Sequence, residues 1–310
     1  MAPVGLPVYA SMGDVDYNYP DSRSGVANIL ALRSNTRLTW LVAMLSGRFP
    51  SDMFENGVSA QALQQLTPPI SLKRLGVDGN NVYYAVRNFP ESDGPMLLFV
   101  HGSPGCWKNW HTYMATDQLQ AFGTRIAVDR PGFGASVAGG IELDLRKQAR
   151  QFAALIPDGN KAVAVGHSLG GPIVGWMALD FPEKICGVVS ISGSLAPELE
   201  ELRWYNRVAN LSMVRRLLQA SLVRSNDEML TLKSELLRLQ SAWKGLTRPI
   251  WLVQGLKDGL VYPETVKQVA AYIPPEMANI RMLENEGHFV IWQNPTLIMQ
   301  LLEEAAACCS

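Results

Sequence analysis

Beyond residue 70 the chain alternates short apolar runs with stretches whose apolar residues recur at helical spacing. Residues 70–75 and 82–86 are rich in β-formers, and Asp78-Gly79-Asn80-Asn81 between them predicts a hairpin turn. Further runs at 96–100, 125–128, 162–165, 185–191, 250–253 and 280–283 are bounded by turn residues and predict buried strands. Helical patterns lie between them, around 110–122, 143–156, 169–181, 263–272 and 295–307. A hairpin followed by β and α in alternation predicts an α/β protein, with a mainly parallel sheet covered by helices on both faces.

The alternation breaks from 195 to 247, where only helical patterns occur, such as Leu199, Leu202 and Trp204 and later Leu232, Leu236 and Leu239. A structureless connection of that length does not suit a compact domain. A helical cap folded over one end of the sheet is expected instead. The predicted organisation is an N-terminal extension (1–69), a core made of 70–194 and 249–310, and an inserted cap (195–248).

The first 20 residues contain Pro3, Pro7, Gly13 and Pro20 and read as irregular. From 25 to 45 the spacing turns helical, with Leu38, Leu41, Val42 and Leu45 on one face and Arg23, Arg33, Arg37 and Arg48 around it. Two readings stay open: a helix packed on its own domain or acting as a lid, and an amphipathic helix making peripheral contact with a membrane. A second short helix is expected after Ser59, a good N-cap residue.

Composition narrows the classes. Of 310 residues, 47% are hydrophobic and 18% charged, enough to build a sizeable core and too apolar for a disordered chain. The net charge of −1 offers no basic excess, so nucleic acid is not an expected partner. The cysteines, Cys106, Cys186, Cys308 and Cys309, have the spacing of neither a metal knuckle nor a disulfide framework, which suits a reducing, cytoplasmic setting. No secretory signal is visible, and the apolar stretch at 38–47 is short of the roughly 20 residues a spanning helix needs.

The most informative segment runs from Lys161 through Gly166-His167-Ser168-Leu169-Gly170-Gly171. A strand enters Gly-x-Ser-x-Gly and leaves as an apolar helix, the context of a nucleophile elbow. Side chains flanking Ser168 would collide in so tight a turn, hence Gly166 and Gly170. Serine is a weak nucleophile at neutral pH and needs a base. Of the four histidines, His101 and His167 sit in tight motifs and read as structural, and His111 lies early in a helix. His288 follows the last strand and can reach the C-terminal edge of the sheet. Asp258, in a turn after 250–255, is placed to orient it, with Glu198 in reserve. Oxyanion donors are expected from the backbone N–H groups of Ser103, in the small-residue turn after 96–100, and Leu169. Trp107, Trp204, Tyr205 and Met213 are candidates for an apolar substrate pocket or, equally, for packing.

Together His101-Gly-Ser-Pro-Gly105, Asp129-Arg-Pro-Gly-Phe-Gly134, Gly166-His-Ser-Leu-Gly170, Gly255-x-x-Asp258 and Gly287-His-Phe289 resemble the α/β-hydrolase superfamily, in its order, over about 70–305. The resemblance implies an eight-stranded sheet, a cap and a Ser–His–Asp site. Epoxide hydrolases and haloalkane dehalogenases share the His-Gly-x-Pro turn but carry an aspartate where this chain has Ser168, which disfavours those chemistries.

The expected activity is hydrolysis of a small carboxylic ester or lactone, a small-molecule acyl substrate, through an acyl-enzyme and without cofactor or metal. A proline-iminopeptidase-like aminopeptidase, an amidase and a carbon–carbon bond hydrolase stay open, as does a catalytically silent binding protein. Oligomeric state is not legible.

Overall fold

The computed structural model describes residues 63–119 and 122–309. The helix expected near 25–45, with most of the N-terminal extension, lies outside the described residues, and of the one expected after Ser59 only 63–64 are described, as helix. Leu63 and Ile70 are buried, and the N–H of Ile70 donates to the carbonyl of Leu63 at 3.2 Å, so the segment 63–70 belongs to the packed body.

Strands β1 (Ser71–Val77) and β2 (Asn80–Asn88) form the expected hairpin. Its two-residue turn places Asp78 and Gly79 at φ 51° and 78°, the left-handed geometry that matches strand twist. The other strands are β3 (Met96–Val100), β4 (Thr124–Asp129), β5 (Ala162–His167), β6 (Ile185–Ile191), β7 (Ile250–Gly255) and β8 (Ala278–Leu283). They build one eight-stranded sheet in the order β1-β2-β4-β3-β5-β6-β7-β8. β2 runs antiparallel to β1 and β4, and the remaining pairs are parallel.

Period-two alternation in fully buried strands explains the two-sided core. Leu98, Val100, Ala164, Val188 and Leu252 face helices α2 (Leu145–Ala153) and α3 (Gly170–Asp180), whereas Leu97, Phe99, Val165, Val189 and Val253 face the other layer. That second layer holds α1 (His111–Ala115), later α8 (Val290–Gln293) and α9 (Pro295–Ala306). α1 is shorter than the spacing at 110–122 predicts. The buried guanidiniums of Arg87 and Arg125, directly paired between β2 and β4, take the carbonyls of Met114 and Thr116 and so draw the chain away from further helix.

Between β6 and β7 come α4 (Trp204–Ala209), α5 (Ser212–Leu217) and the long α6 (Ala220–Ala242). Leu232, Leu236 and Leu239 of α6 join the core layer of α2 and α3, while α4 and α5 bury only Ala209. The Oε2 of Glu235 accepts from the N–H of Leu145 at the start of α2 (3.1 Å), and Arg238 bridges Glu235 and Asp144. α7 (Glu264–Ala270) precedes β8. Among the described residues no helix is long and apolar enough to cross a membrane.

The cysteine reading needs correction. Cys186 on β6 and Cys309 in the last turn form a disulfide, with Cα atoms 5.1 Å apart. Folding brings together residues 123 positions apart, which spacing cannot reveal, and the argument for a reducing compartment loses that support. Cys106, buried, and Cys308, exposed, are outside any disulfide. Alkylation in denaturant without reductant is therefore expected to label two of the four cysteines, and all four after reduction. Cys309→Ser should lower stability by about 2–4 kcal/mol, read in a denaturant melt.

Candidate active site

In this sheet β3 lies between β4 and β5, so the connections leaving β3 and β5 part in opposite directions. A crevice opens there at the C-terminal strand ends, the usual ligand position in an open α/β sheet. The turn after β3 carries Gly102 and Ser103, and the turn after β5 carries Ser168.

Ser168 occupies the left-handed region at φ 54°, a strained position for a residue with a side chain. Its N–H donates to the carbonyl of Ile191 at 3.0 Å, and its own carbonyl accepts from Gly171 and Ser194 at 2.9 and 3.2 Å. A Cβ at Gly166 would overlap the carbonyl of Gly170, and one at Gly170 would overlap the carbonyl of Val100. Both glycines are therefore required by backbone contact. α3 begins directly afterwards, with Pro172 in its first turn, where no hydrogen bond is lost.

Asp258 sits in the turn after β7 and His288 in the loop after β8; both are buried. His288 Nδ1 is 2.9 Å from Asp258 Oδ2. The carboxylate can only accept, so Nδ1 carries a proton, and in the neutral ring the lone pair then lies on Nε2. Gln254 Nε2 also donates to Oδ2 (3.0 Å), and the N–H groups of Leu260 and Val261 donate to Oδ1 (2.8 and 2.9 Å). Burial alone would raise the Asp258 pKa, but His288 and these hydrogen bonds outweigh it and hold the carboxyl below its ordinary range.

Ser168 and His288 line one cavity of about 70 Å³ together with Gly102, Ser103, Pro104, Asn109, His167, Leu260, Phe289 and Trp292. The structure thus brings Ser168, Asp258, His288, Ser103 and Leu169 to one end of the sheet. Among the described residues no protein acceptor takes the N–H of Ser103 or of Leu169. The apolar wall comes from Pro104, Leu260, Phe289 and Trp292, and not from the four residues the sequence offered. Trp107 is 1% exposed and packs in the core layer with Trp110 and Tyr113. Trp204 and Met213 are 64% and 77% exposed, and Tyr205 lies edge-on to Trp204. The reserve carboxylate, Glu198, accepts from Gln240 at 2.6 Å.

Two other histidines are fixed in place. His101 Nε2 accepts from the N–H of Arg130 (3.0 Å), so its Nδ1 donates to the carbonyl of Gly102 (2.7 Å). Burial, then the nearby Arg130 charge, lowers its pKa well below 6.5. His167 Nε2 donates to the carbonyl of His288 (2.8 Å), and its ring packs 4.8 Å from that of His288. Burial, followed by His288, pushes its pKa down to about 3. Sequence reasoning missed Gln254, Arg130 and Glu228. Arg130 and Glu228 form a buried ion pair against the Gly102–Ser103 turn. Among the described residues no cluster of His, Cys, Asp and Glu could hold a metal ion.

Neutral His167 makes the fold acid-sensitive. Between about pH 6.5 and about 3 the unfolded chain binds a proton there that the folded one refuses, so stability falls as pH drops. Asp129, raised by burial to about 6, acts oppositely over part of that window. The midpoint of thermal unfolding of His167→Gln is expected to fall less steeply from pH 6.5 to 5 than that of the parent, about one proton's worth shallower; equal slopes would contradict the assignment.

A family model described as alpha/beta hydrolase fold matches residues 95–231. Epoxide hydrolase B of Mycobacterium tuberculosis is 27% identical over 128 residues, 38% of this chain and 34% of that protein. Pimeloyl-[acyl-carrier protein] methyl ester esterase of Aeromonas hydrophila is 32% identical over 105 residues, 33% of this chain and 39% of that one. The match thus spans little more than a third of either curated relative. A putative aryl esterase from Burkholderia cenocepacia superposes with a TM-score of 0.59 at 18% identity, covering 76% of this chain and 100% of that one. With this sheet order and an elbow between β5 and α3, the chain has the α/β-hydrolase fold, and its residues 95–231 match the model of that family.

Proposed function

We propose that the protein is a serine hydrolase that cleaves a small carboxylic ester or lactone. The observation that carries this reading is a single cavity shared by Ser168 and an imidazole whose far nitrogen is locked on a buried carboxylate. Ser168 attacks the carbonyl carbon while His288 Nε2 takes the hydroxyl proton. The imidazolium so formed is stabilised by Asp258, which stays ionised. Negative charge gathers on the carbonyl oxygen, and the N–H groups of Ser103 and Leu169 receive it. His288 then protonates the leaving alcohol, and water repeats the sequence to free the acid and restore Ser168.

Two features support the choice of bond and size. An oxygen nucleophile with its own base suits an acyl carbon, and the relatives include an esterase by name. Epoxide hydrolases are also among the relatives, but here the elbow presents Ser168 in place of a carboxylate. The cavity at Ser168, about 70 Å³, favours a small acyl group.

A fluorophosphonate probe is expected to label Ser168, and Ser168→Ala to reduce p-nitrophenyl acetate turnover to the uncatalysed rate; undiminished turnover would end the proposal. Asp258→Asn removes the acceptor that fixes the Nδ1–H form of His288. Its kcat on the same ester should fall about 10⁴-fold with the fold retained by circular dichroism. Aminoacyl-anilides run beside the ester panel test the amide alternative.

A further inference from the structure

The ion pair between Arg130 and Glu228 joins the long helix α6 to the turn where the oxyanion donor resides. Arg130 Nη1 and Nη2 reach Glu228 Oε1 and Oε2 at 2.7 and 2.9 Å, with the two side chains 0% and 2% exposed. The hydroxyl of Ser103 donates to Glu228 Oε2, and Arg130 Nη2 also donates to the carbonyl of Gly102 at 3.2 Å. That carbonyl is met from a second side by His101 Nδ1 at 2.7 Å.

The carbonyl of Gly102 and the N–H of Ser103 belong to one peptide unit, which is trans. In a planar trans unit the two groups point in opposite directions. Whatever holds the Gly102 oxygen therefore aims the Ser103 N–H. The turn also lies hard against the nucleophile, since a Cβ on Gly102 would come 2.9 Å from the Cβ of Ser168.

Resting on the hydrolase reading above, we infer that Arg130 and Glu228 are positioning residues for the oxyanion donor. Glu228 sets the guanidinium, the guanidinium and His101 grip the Gly102 carbonyl, and the Ser103 N–H is thereby turned toward the carbonyl oxygen of a substrate on Ser168. Pairing also balances charge. A lone carboxylate at Ser103 would repel a developing oxyanion, and Arg130 cancels it. The placement of Glu228 on α6 makes the donor's aim depend on how the α4–α6 segment is seated.

Stabilisation present only in the transition state appears in kcat and leaves KM largely alone. The double variant Arg130→Met/Glu228→Leu exchanges the pair for apolar side chains, a replacement buried pairs often tolerate. It should fold, as judged by circular dichroism and thermal unfolding. Its kcat on p-nitrophenyl acetate should fall about tenfold to 100-fold with KM changed less than about threefold. Affinity for a trifluoromethyl ketone, which reacts to mimic the tetrahedral intermediate, should weaken in parallel, while affinity for acetate should not. Arg130→Lys keeps a charge for Glu228 but lacks the second arm for Gly102, and should show the same split more weakly. The comparison variant is Arg238→Gln, which breaks a different bridge from α6 to the core. Folded variants with unchanged kcat, or an equal loss in Arg238→Gln, would overturn the inference. If the parent protein neither turns over the ester nor takes the fluorophosphonate, the hydrolase reading has failed and the inference falls with it. Labelled, active parent protein with unaffected variants refutes the positioning role alone.

Discussion

A serine oxygen stands clear of a sheet only where the chain reverses from strand to helix almost at once, and at the end of β5 the reversal leaves no volume for neighbouring side chains. Gly166 packs on the carbonyl of Gly170, and Gly170 on the carbonyl of Val100 in the adjacent strand. The second contact reaches beyond the elbow. It presses the nucleophile's turn onto the end of β3 and so fixes its separation from Gly102 and Ser103. The positive φ of Ser168 costs on the order of 1–3 kcal/mol, and hydrogen bonds to Ile191, Gly171 and Ser194 hold it there.

Three carboxylates are taken out of water around this turn, and they differ in the number and kind of their partners. Asp129 receives two backbone N–H bonds, from Trp107 and Ala135, and burial still prevails, raising its pKa to about 6. Asp258 also receives two, and adds the imidazole of His288; with it the balance reverses and the pKa is lowered. Glu228 takes a bidentate arginine, the strongest arrangement for a buried carboxylate.

Local rules made much of this readable. The Asp78-Gly79 turn, the run of apolar strands, and Gly-x-Ser-x-Gly between a strand and a helix each carry their own geometry in a few adjacent residues. Asp258 and His288 could be named because each follows a strand, and strand ends in a parallel sheet meet at one edge. What escaped notice depends on contacts between distant segments. Arg130 and Glu228 are 98 positions apart, and Cys186 and Cys309 are 123. Neither pair leaves a periodic or motif signal. The end of α1 is set in the same way, because Arg125, arriving from β4, claims its carbonyls. Aromatic residues misled differently: Trp107 is a core residue and Trp204 a surface one, and hydrophobicity alone does not say which side of the wall a ring will occupy.

The bond between Cys186 and Cys309 closes a covalent loop that contains α4 to α6, Asp258 and His288, whereas Ser168 stays outside it. A protease cutting in the exposed stretch around α4 and α5 would sever the backbone between nucleophile and base without parting the fragments. Such a nicked molecule would migrate as a single species until a thiol reagent released its two pieces.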